Sequence, residues 1–153
     1  QEIRKLGLLY PKGQLTLAQV SEAVLNVARF DLDGLREAML AGDAARIART
    51  LDGLRQEGEA PPLVLWAMTE EVRAVAQIRS GLADGMPLDG LLRDARVWGP
   101  RQGLMKRAIA RFDLRQAHEA LRQAGQLDRL AKGLATGDVW NEFLRLGLRF
   151  SGA

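Results

Sequence analysis

The sequence has no cysteine, a single histidine and one tyrosine among its 153 residues. Without cysteine, disulfide bonds, thiolate metal sites and a cysteine nucleophile are excluded, and a reducing compartment such as the cytoplasm fits the composition. The lone His118 cannot by itself build a histidine-based triad or a multi-histidine metal site. We therefore expect neither a metal nor another cofactor, and we interpret His118 as a packed or solvated side chain.

Several signatures of enzymes and membrane proteins are also missing. Neither a P-loop nor a G-x-G-x-x-G run occurs. Glu70 and Glu71 are adjacent, so on a helix they would point about 100° apart, which suits paired acid–base chemistry poorly. No apolar run reaches membrane-spanning length, and no signal peptide is visible. We expect no membrane contact and no complete catalytic site. A helical enzyme domain that takes ligands from another chain remains an alternative.

The composition that is present is that of an ordinary folded domain. Hydrophobic residues make up 47% of the chain and charged residues 27%, with a formal net charge of +3. This mild positive charge permits contact with nucleic acid or an acidic protein surface and requires neither. Sustained two-residue alternation is absent and β-branched residues are sparse, so we predict an all-α helical bundle with short loops.

The segment from Ala60 to Gly81 is predicted to be the central helix of the bundle. Two prolines suit its first turn and a glycine its end. Its first half, Leu63–Met68, is apolar all round and is expected to be enclosed, whereas its second half narrows to one stripe at helical spacing. The tryptophans Trp66 and Trp140, both on apolar helical faces, are expected in the core.

Helix starts are predicted from residues that accept hydrogen bonds from free backbone N–H groups. The predicted N-caps are Thr16, Asp43, Asp113 and Asp138, together with either Asp31 or Asp33. Residues 2–10 are predicted to form a short helix, followed by a turn over residues 10–14. Residues 127–134 are predicted to form a separate short element.

One segment of the chain is strongly basic. Between positions 93 and 111, Asp94 is the single acid. The basic residues are Arg93, Arg96, Arg101, Lys106, Arg107 and Arg111. Trp98 lies in their midst, on a predicted turn that ends at Pro100. Either Trp98 stacks on a base while the cations meet phosphates, or it fills a core gap beside a solvated helix face. Sequence physics alone favours core packing.

The order of short motifs along the chain resembles a known family. The motifs are Leu9–Leu17, Phe30, Gly42–Ala44, Leu54–Pro61, Val97–Trp98 with Arg101, Lys132–Gly133 and Val139–Trp140. Together they resemble the C-terminal part of the delta subunit of the bacterial DNA polymerase III clamp loader. The most specific is the Leu-Arg-x-Glu-Gly-x-x-Pro run that begins at Leu54.

The resemblance implies a subunit of three domains: an AAA+-like domain that grips and opens the sliding clamp, a small helical lid, and a helical collar. The collars of the loader subunits pack side by side and hold the pentamer together. Residues 1–29 would then be the end of the lid and residues 30–153 the collar. The implied role is a non-catalytic one in DNA replication, within the polymerase holoenzyme. The implied partners are the other loader subunits, and the clamp would be reached only through the missing N-terminal domain.

The resemblance also bears on the basic segment. The Trp98 turn matches a position near the chamber that receives primer–template DNA. The implied nucleic-acid residues are Trp98, Arg101, Arg96 and Lys106. A second aromatic, found in some relatives ahead of the last Val-Trp motif, is replaced here by Ala135 and Thr136. The alternative function is that of a free-standing basic helical domain that binds nucleic acid.

Overall fold

A computed structural model describes residues 16–152, except for the side chains of residues 22–30. Within those residues the chain forms helices and no strand, which confirms the all-α prediction. The helices are α1 (Leu17–Ala41), α2 (Ala44–Gln56), α3 (Pro61–Ala83), α4 (Leu88–Asp94), α5 (Arg101–Arg111), α6 (Leu114–Ala131) and α7 (Val139–Ser151). None of these helices combines the length and apolarity needed to cross a membrane. The helix and turn predicted for residues 2–14 lie outside the described residues.

Four of the predicted N-caps are confirmed. The side chains of Thr16 and Asp113 each accept a hydrogen bond from the backbone N–H three residues on, and each forms a reciprocal capping box with a glutamine. The Asp43 carboxylate accepts from the N–H of Arg46 at 2.9 Å, and Asp138 accepts from that of Trp140 at 2.9 Å. Each cap is worth about 1 kcal/mol, so these residues fix where α1, α2, α6 and α7 begin.

The predicted helix start at Asp31 or Asp33 is wrong. Helix α1 runs without interruption from Leu17 to Ala41, so both aspartates lie inside it. Buried Leu32 and Leu35 continue the helical apolar period through this region, and the exposed carboxylate of Asp33 pairs with Arg36 at 3.6 Å instead of capping. The boundary predicted between residues 29 and 30 thus falls inside a continuous helix, and it stays a prediction.

The short element predicted for residues 127–134 is also wrong as a separate unit. Residues up to Ala131 form the last turns of α6, and Lys132 is its C-cap. The buried residues Ala117, Ala120, Ala124 and Leu127 recur every three or four positions, so one apolar face runs through the whole helix. Gly133, which follows the C-cap, has a φ of 71° in the left-handed conformation that commonly ends a helix.

Helix α3 is the centre of the bundle, as predicted. It packs against α1, α4, α5, α6 and α7. The stripe in its second half is confirmed: Met68, Val72, Val75 and Ile78 are buried, and Leu82 is partly buried against them.

The prediction that the first half of α3 is enclosed is wrong. Val64, Ala67 and Met68 are buried, whereas Leu63 is 48% exposed and Trp66 is 54% exposed. The core covers one side of the helix here and leaves the other apolar side to solvent. Apolar residues around the whole helix therefore do not mean that neighbours cover it.

The last helix closes the core on the side of α2. Its buried aromatic side chains are Phe143 and Phe150, and the ring of Phe150 lies 4.7 Å from that of Phe112. Trp140 is partly buried against the core and meets the Phe143 ring edge-on at 5.6 Å, so the prediction that it lies in the core is confirmed in part. Gly147 permits close approach, because a Cβ there would lie 2.6 Å from Ile47 Cγ2.

Arg111 holds the end of α1. Its guanidinium donates to the carbonyl oxygens of Leu40 at 2.8 Å and Met39 at 3.3 Å in the last turn of α1, and the Met39 oxygen also accepts from the N–H of Gly42 at 3.1 Å. Burial and then the neighbouring charge of Arg107 lower the pKa of Arg111. Gly42, at φ 75°, lies against this side chain. Arg111 is therefore structural and does not belong to the exposed basic surface.

Candidate functional site

The turn between α4 and α5 exposes a tryptophan. Val97 is buried and anchors the turn, and its carbonyl oxygen accepts from Gln102 Nε2 at 3.2 Å. The next residue, Trp98, is 58% exposed. The interpretation that Trp98 fills a core gap is therefore wrong, because Val97 occupies the interior and directs its neighbour outward.

Arg96 has an unusual backbone conformation just before this tryptophan. Its φ of 55° is in the left-handed region, and Arg96 is the one non-glycine residue there among those described. The N–H groups of Arg96 and Val97 bond to the carbonyls of Arg93 and Leu92, each at 2.9 Å, as in a Schellman motif. The left-handed conformation favours glycine, and a residue with a side chain there lowers the stability of the fold by about 1 kcal/mol. The sequence thus keeps an exposed cation beside Trp98 at a cost in stability.

Arg101 begins α5 and is bound to a buried carboxylate. Its Nη2 atom lies 2.6 Å from Oε1 of Glu71 on α3. The Glu71 side chain is 1% exposed, whereas that of Arg101 is 34% exposed and reaches the surface. The sequence predicted Glu71 on the polar face of the central helix, opposite the apolar stripe, and that prediction is wrong because the side chain is buried. The available signal was an acid at helical spacing from the buried Met68 and Val75.

A second arginine shares the same carboxylate oxygen. Arg36 Nε on α1 lies 2.6 Å from Glu71 Oε1. The Arg36 guanidinium also lies 5.7 Å from the centroid of the Trp66 ring, within the range of a cation–π contact. A continuous set of contacts therefore runs from Trp66 through Arg36 and Glu71 to Arg101.

The structure separates the fourth predicted nucleic-acid residue from the other three. Arg96 and Trp98 lie on the turn between α4 and α5, and Arg101 is the first residue of α5. Lys106 is exposed on α5, five residues after Arg101, which places it about 140° further round the helix. Lys106 thus faces away from the Glu71 contact.

A groove between α3 and α6 lies beside Trp66, and the sequence did not predict it. Its volume is about 440 Å³. It is lined by Pro62, Leu65, Trp66, Thr69 and Arg73 on α3 and by Leu121, Ala124, Gly125, Asp128, Ala131 and Lys132 on α6. The hydroxyl of Thr69 is buried and has no hydrogen-bond partner within the described part of the chain. At the rim, Lys132 pairs with Asp128 at 2.7 Å.

Groups suited to metal binding are absent from the described residues. No three or more histidine, aspartate or glutamate side chains among them are arranged to hold a metal ion. His118 is exposed on α6.

The described residues thus form an all-α domain that exposes two tryptophans, Trp66 and Trp98. The family described as the processivity clamp loader gamma complex, DNA polymerase III C-terminal domain, has a model that matches residues 34–152. The chain belongs to this family.

Two curated relatives extend the comparison. One is DNA polymerase III subunit delta of Escherichia coli (strain K12), which is 31% identical over 148 residues, covering 97% of this chain and 43% of the relative. The other is the protein of the same name from Haemophilus influenzae, 25% identical over 157 residues, covering 97% and 46% respectively. The chain therefore spans less than half the length of either relative.

Proposed function

We propose that residues 30–153 are the collar of a clamp-loader delta subunit and residues 1–29 the end of its lid. The collar would hold the loader pentamer together, so that the full subunit can open the sliding clamp and load it on primed DNA. Family membership and the two delta relatives support this proposal. The work of the chain is then binding, and the clamp itself would be contacted by an AAA+-like domain that precedes this sequence.

The observation that carries the assembly role is the Trp66 surface. A large aromatic and Leu63 are about half exposed on the central helix, next to a groove with an unpartnered buried hydroxyl. Tryptophan is enriched among the residues that dominate protein–protein binding energy, especially where a pocket adjoins it. A helix of a neighbouring subunit would cover Trp66 and Leu63.

Co-elution of the full-length delta subunit with the other clamp-loader subunits tests this role. Trp66→Ala should reduce complex formation, because it removes the aromatic anchor without disturbing the core. Leu134→Ala is the matched control: Leu134 is 68% exposed and does not line the groove. Equal co-elution of wild type and Trp66→Ala across a dilution series would contradict the proposal.

A specific observation also favours a second role, contact with primer–template DNA at the Trp98 turn. Trp98 is exposed between two cations, Arg96 and Arg101. An exposed indole can stack on any base while neighbouring guanidinium groups bind phosphates. This chemistry suits a polyanion with aromatic bases better than it suits a protein surface.

Primer–template binding by the assembled loader tests the DNA role. Trp98→Ala should weaken it, whereas Met86→Ala, which truncates an exposed apolar side chain on another loop, should not. Unchanged affinity of the Trp98 variant would remove the idea. The alternative of a free-standing nucleic-acid-binding domain predicts tight, steeply salt-dependent binding by this chain alone, whereas the collar proposal predicts weak binding outside the loader.

A further inference from the structure

Packing alone does not explain the Glu71 carboxylate. It is buried in the bundle, yet Arg36 and Arg101 both bind Oε1, and Oε2 has no hydrogen-bond partner within the described residues. A buried acceptor without a partner is destabilising, and replacing buried ion pairs with apolar residues is often neutral or stabilising. A role for Glu71 outside folding would explain why this position is not occupied by an apolar side chain.

The geometry around Arg101 indicates what that role is. Glu71 binds the guanidinium of Arg101 through its Nη2 atom, while the Arg101 side chain remains 34% exposed. A guanidinium has five N–H donors in a rigid plane, so fixing one edge fixes the direction of the others. Arg36 holds the same carboxylate oxygen from α1, and this prevents Glu71 from following Arg101 into solvent.

Local helix electrostatics alone would not place an arginine here. Arg101 is the first residue of α5, and Pro100 before it provides no side-chain cap. The N-terminus of a helix carries partial positive charge, so a cation there is unfavourable unless an anion lies close by. Glu71 supplies that anion from α3 and offsets the repulsion.

We propose that Glu71 is a positioning residue for nucleic-acid binding. It fixes Arg101 beside Trp98 with its free guanidinium edge at the surface, where it binds a phosphate of the strand whose base stacks on Trp98. The inference rests on the proposed DNA contact at this turn. It adds a buried residue that does not itself touch the DNA but on which that contact depends.

The test is a double-mutant cycle in the full-length subunit within the assembled loader, with primer–template affinity as the readout. Arg101→Ala should weaken binding about 10-fold and reduce the salt slope by about 1, as expected for one phosphate contact. Glu71→Gln should weaken binding about 3- to 10-fold, because a neutral amide holds the guanidinium less firmly than a carboxylate.

The sign of the Glu71→Gln effect is decisive. Removal of a negative charge near DNA would by itself tighten binding. A purely structural role would leave the affinity of the folded loader unchanged. Weaker binding therefore supports positioning, and tighter or unchanged binding overturns it.

The cycle also requires that the two effects are not additive. Arg101→Ala should weaken binding much less in the Glu71→Gln background than in the wild type, because Arg101 is already displaced. Lys106→Ala is the control: its side chain is not bound to Glu71, so its effect should be equal in both backgrounds. Additivity of Glu71→Gln with Arg101→Ala would overturn the proposal.

Arg101→Lys provides a second test that does not depend on folding of the Glu71 variant. Lysine keeps the charge but has no planar group that can bind the carboxylate and a phosphate together. Arg101→Lys should therefore weaken primer–template binding almost as much as Arg101→Ala does. Wild-type affinity of the lysine variant would overturn the positioning role. If Arg101→Ala itself has no effect, the DNA contact of Arg101 fails and the inference fails with it. If Arg101→Ala weakens binding but Glu71→Gln leaves the affinity unchanged, the DNA contact of Arg101 stands and only the positioning role of Glu71 fails.

Discussion

Trp66 and Trp98 are almost equally exposed, at 54% and 58%, yet their surroundings differ. Trp66 lies in the second turn of α3, beside Leu63 and a groove that continues onto α6. Trp98 lies on a turn between Arg96 and Arg101. One tryptophan belongs to a mainly apolar helix surface and the other to a cationic turn.

The neighbours of an exposed aromatic side chain therefore indicate its partner better than its exposed fraction does. Apolar neighbours suit a packed protein interface, whereas flanking cations suit a polyanion. The two surfaces are physically linked, because Arg36 contacts Trp66 and shares the Glu71 carboxylate with Arg101.

Substitutions on the buried and exposed sides of α3 should differ most in their effect on the free energy of unfolding. Met68→Ala should lower the free energy of unfolding by about 2–5 kcal/mol, because it leaves a cavity in a fully buried site. Trp66→Ala should change it by no more than about 1 kcal/mol, since much of the ring is already in water. Urea unfolding followed by circular dichroism measures both. A loss for Trp66→Ala as large as that for Met68→Ala would mean that Trp66 is a core residue.

The next effect concerns assembly. Trp66→Ala should weaken association with the partner subunits by about 2 kcal/mol, or roughly 30-fold, as for an aromatic at the centre of an interface. Trp98→Ala should leave that association intact. Sedimentation velocity over a concentration series gives the two affinities, and a loss of assembly in the Trp98 variant would break the distinction.

An effect of comparable size is expected on DNA binding. Trp98→Ala should weaken primer–template binding by the assembled loader by about 1–3 kcal/mol, the value of one stacked base. Trp98→Phe should retain part of the affinity, because a smaller ring still stacks. Fluorescence anisotropy of labelled DNA measures both variants. If phenylalanine is no better than alanine, stacking is not the interaction.

The smallest change is expected for Arg96, the cation that precedes the Trp98 turn. Arg96→Gly should raise the free energy of unfolding by up to about 1 kcal/mol, because it relieves a left-handed side-chain conformation. The same variant should weaken DNA binding through the loss of a cation. Thermal unfolding measures the stability of the variant, and fluorescence anisotropy on the same preparation measures its DNA affinity. A variant less stable than the wild type would show that the Arg96 side chain stabilises the fold.

The sequence predicted features that depend on neighbours along the chain. The caps at Asp43, Asp113 and Asp138 follow from side chains that bond backbone two or three residues away, and the buried stripe of α3 follows from helical period. Asp31 looked equally like a cap. It lies inside α1 because the apolar period continues past it, and a local capping signal does not break a helix whose face is buried.

Features that depend on packing between helices could not be read from the sequence. The exposure of Trp66 and Trp98 depends on which neighbouring helices cover each position, and local sequence does not encode that. The Arg36–Glu71–Arg101 contact joins residues 35 and 30 positions apart, from three helices. Only the helical spacing of Glu71 from Met68 and Val75 hinted at it.

Hydroxyl-radical footprinting of the full-length subunit tests whether the two exposed tryptophans serve different partners. Oxidation of each tryptophan is read by mass spectrometry in the free subunit, in the loader, and in the loader with primer–template DNA. We predict that Trp66 is protected on assembly, whereas Trp98 stays reactive until DNA is added. Protection of both tryptophans in the same step, or of neither in any step, would contradict the account.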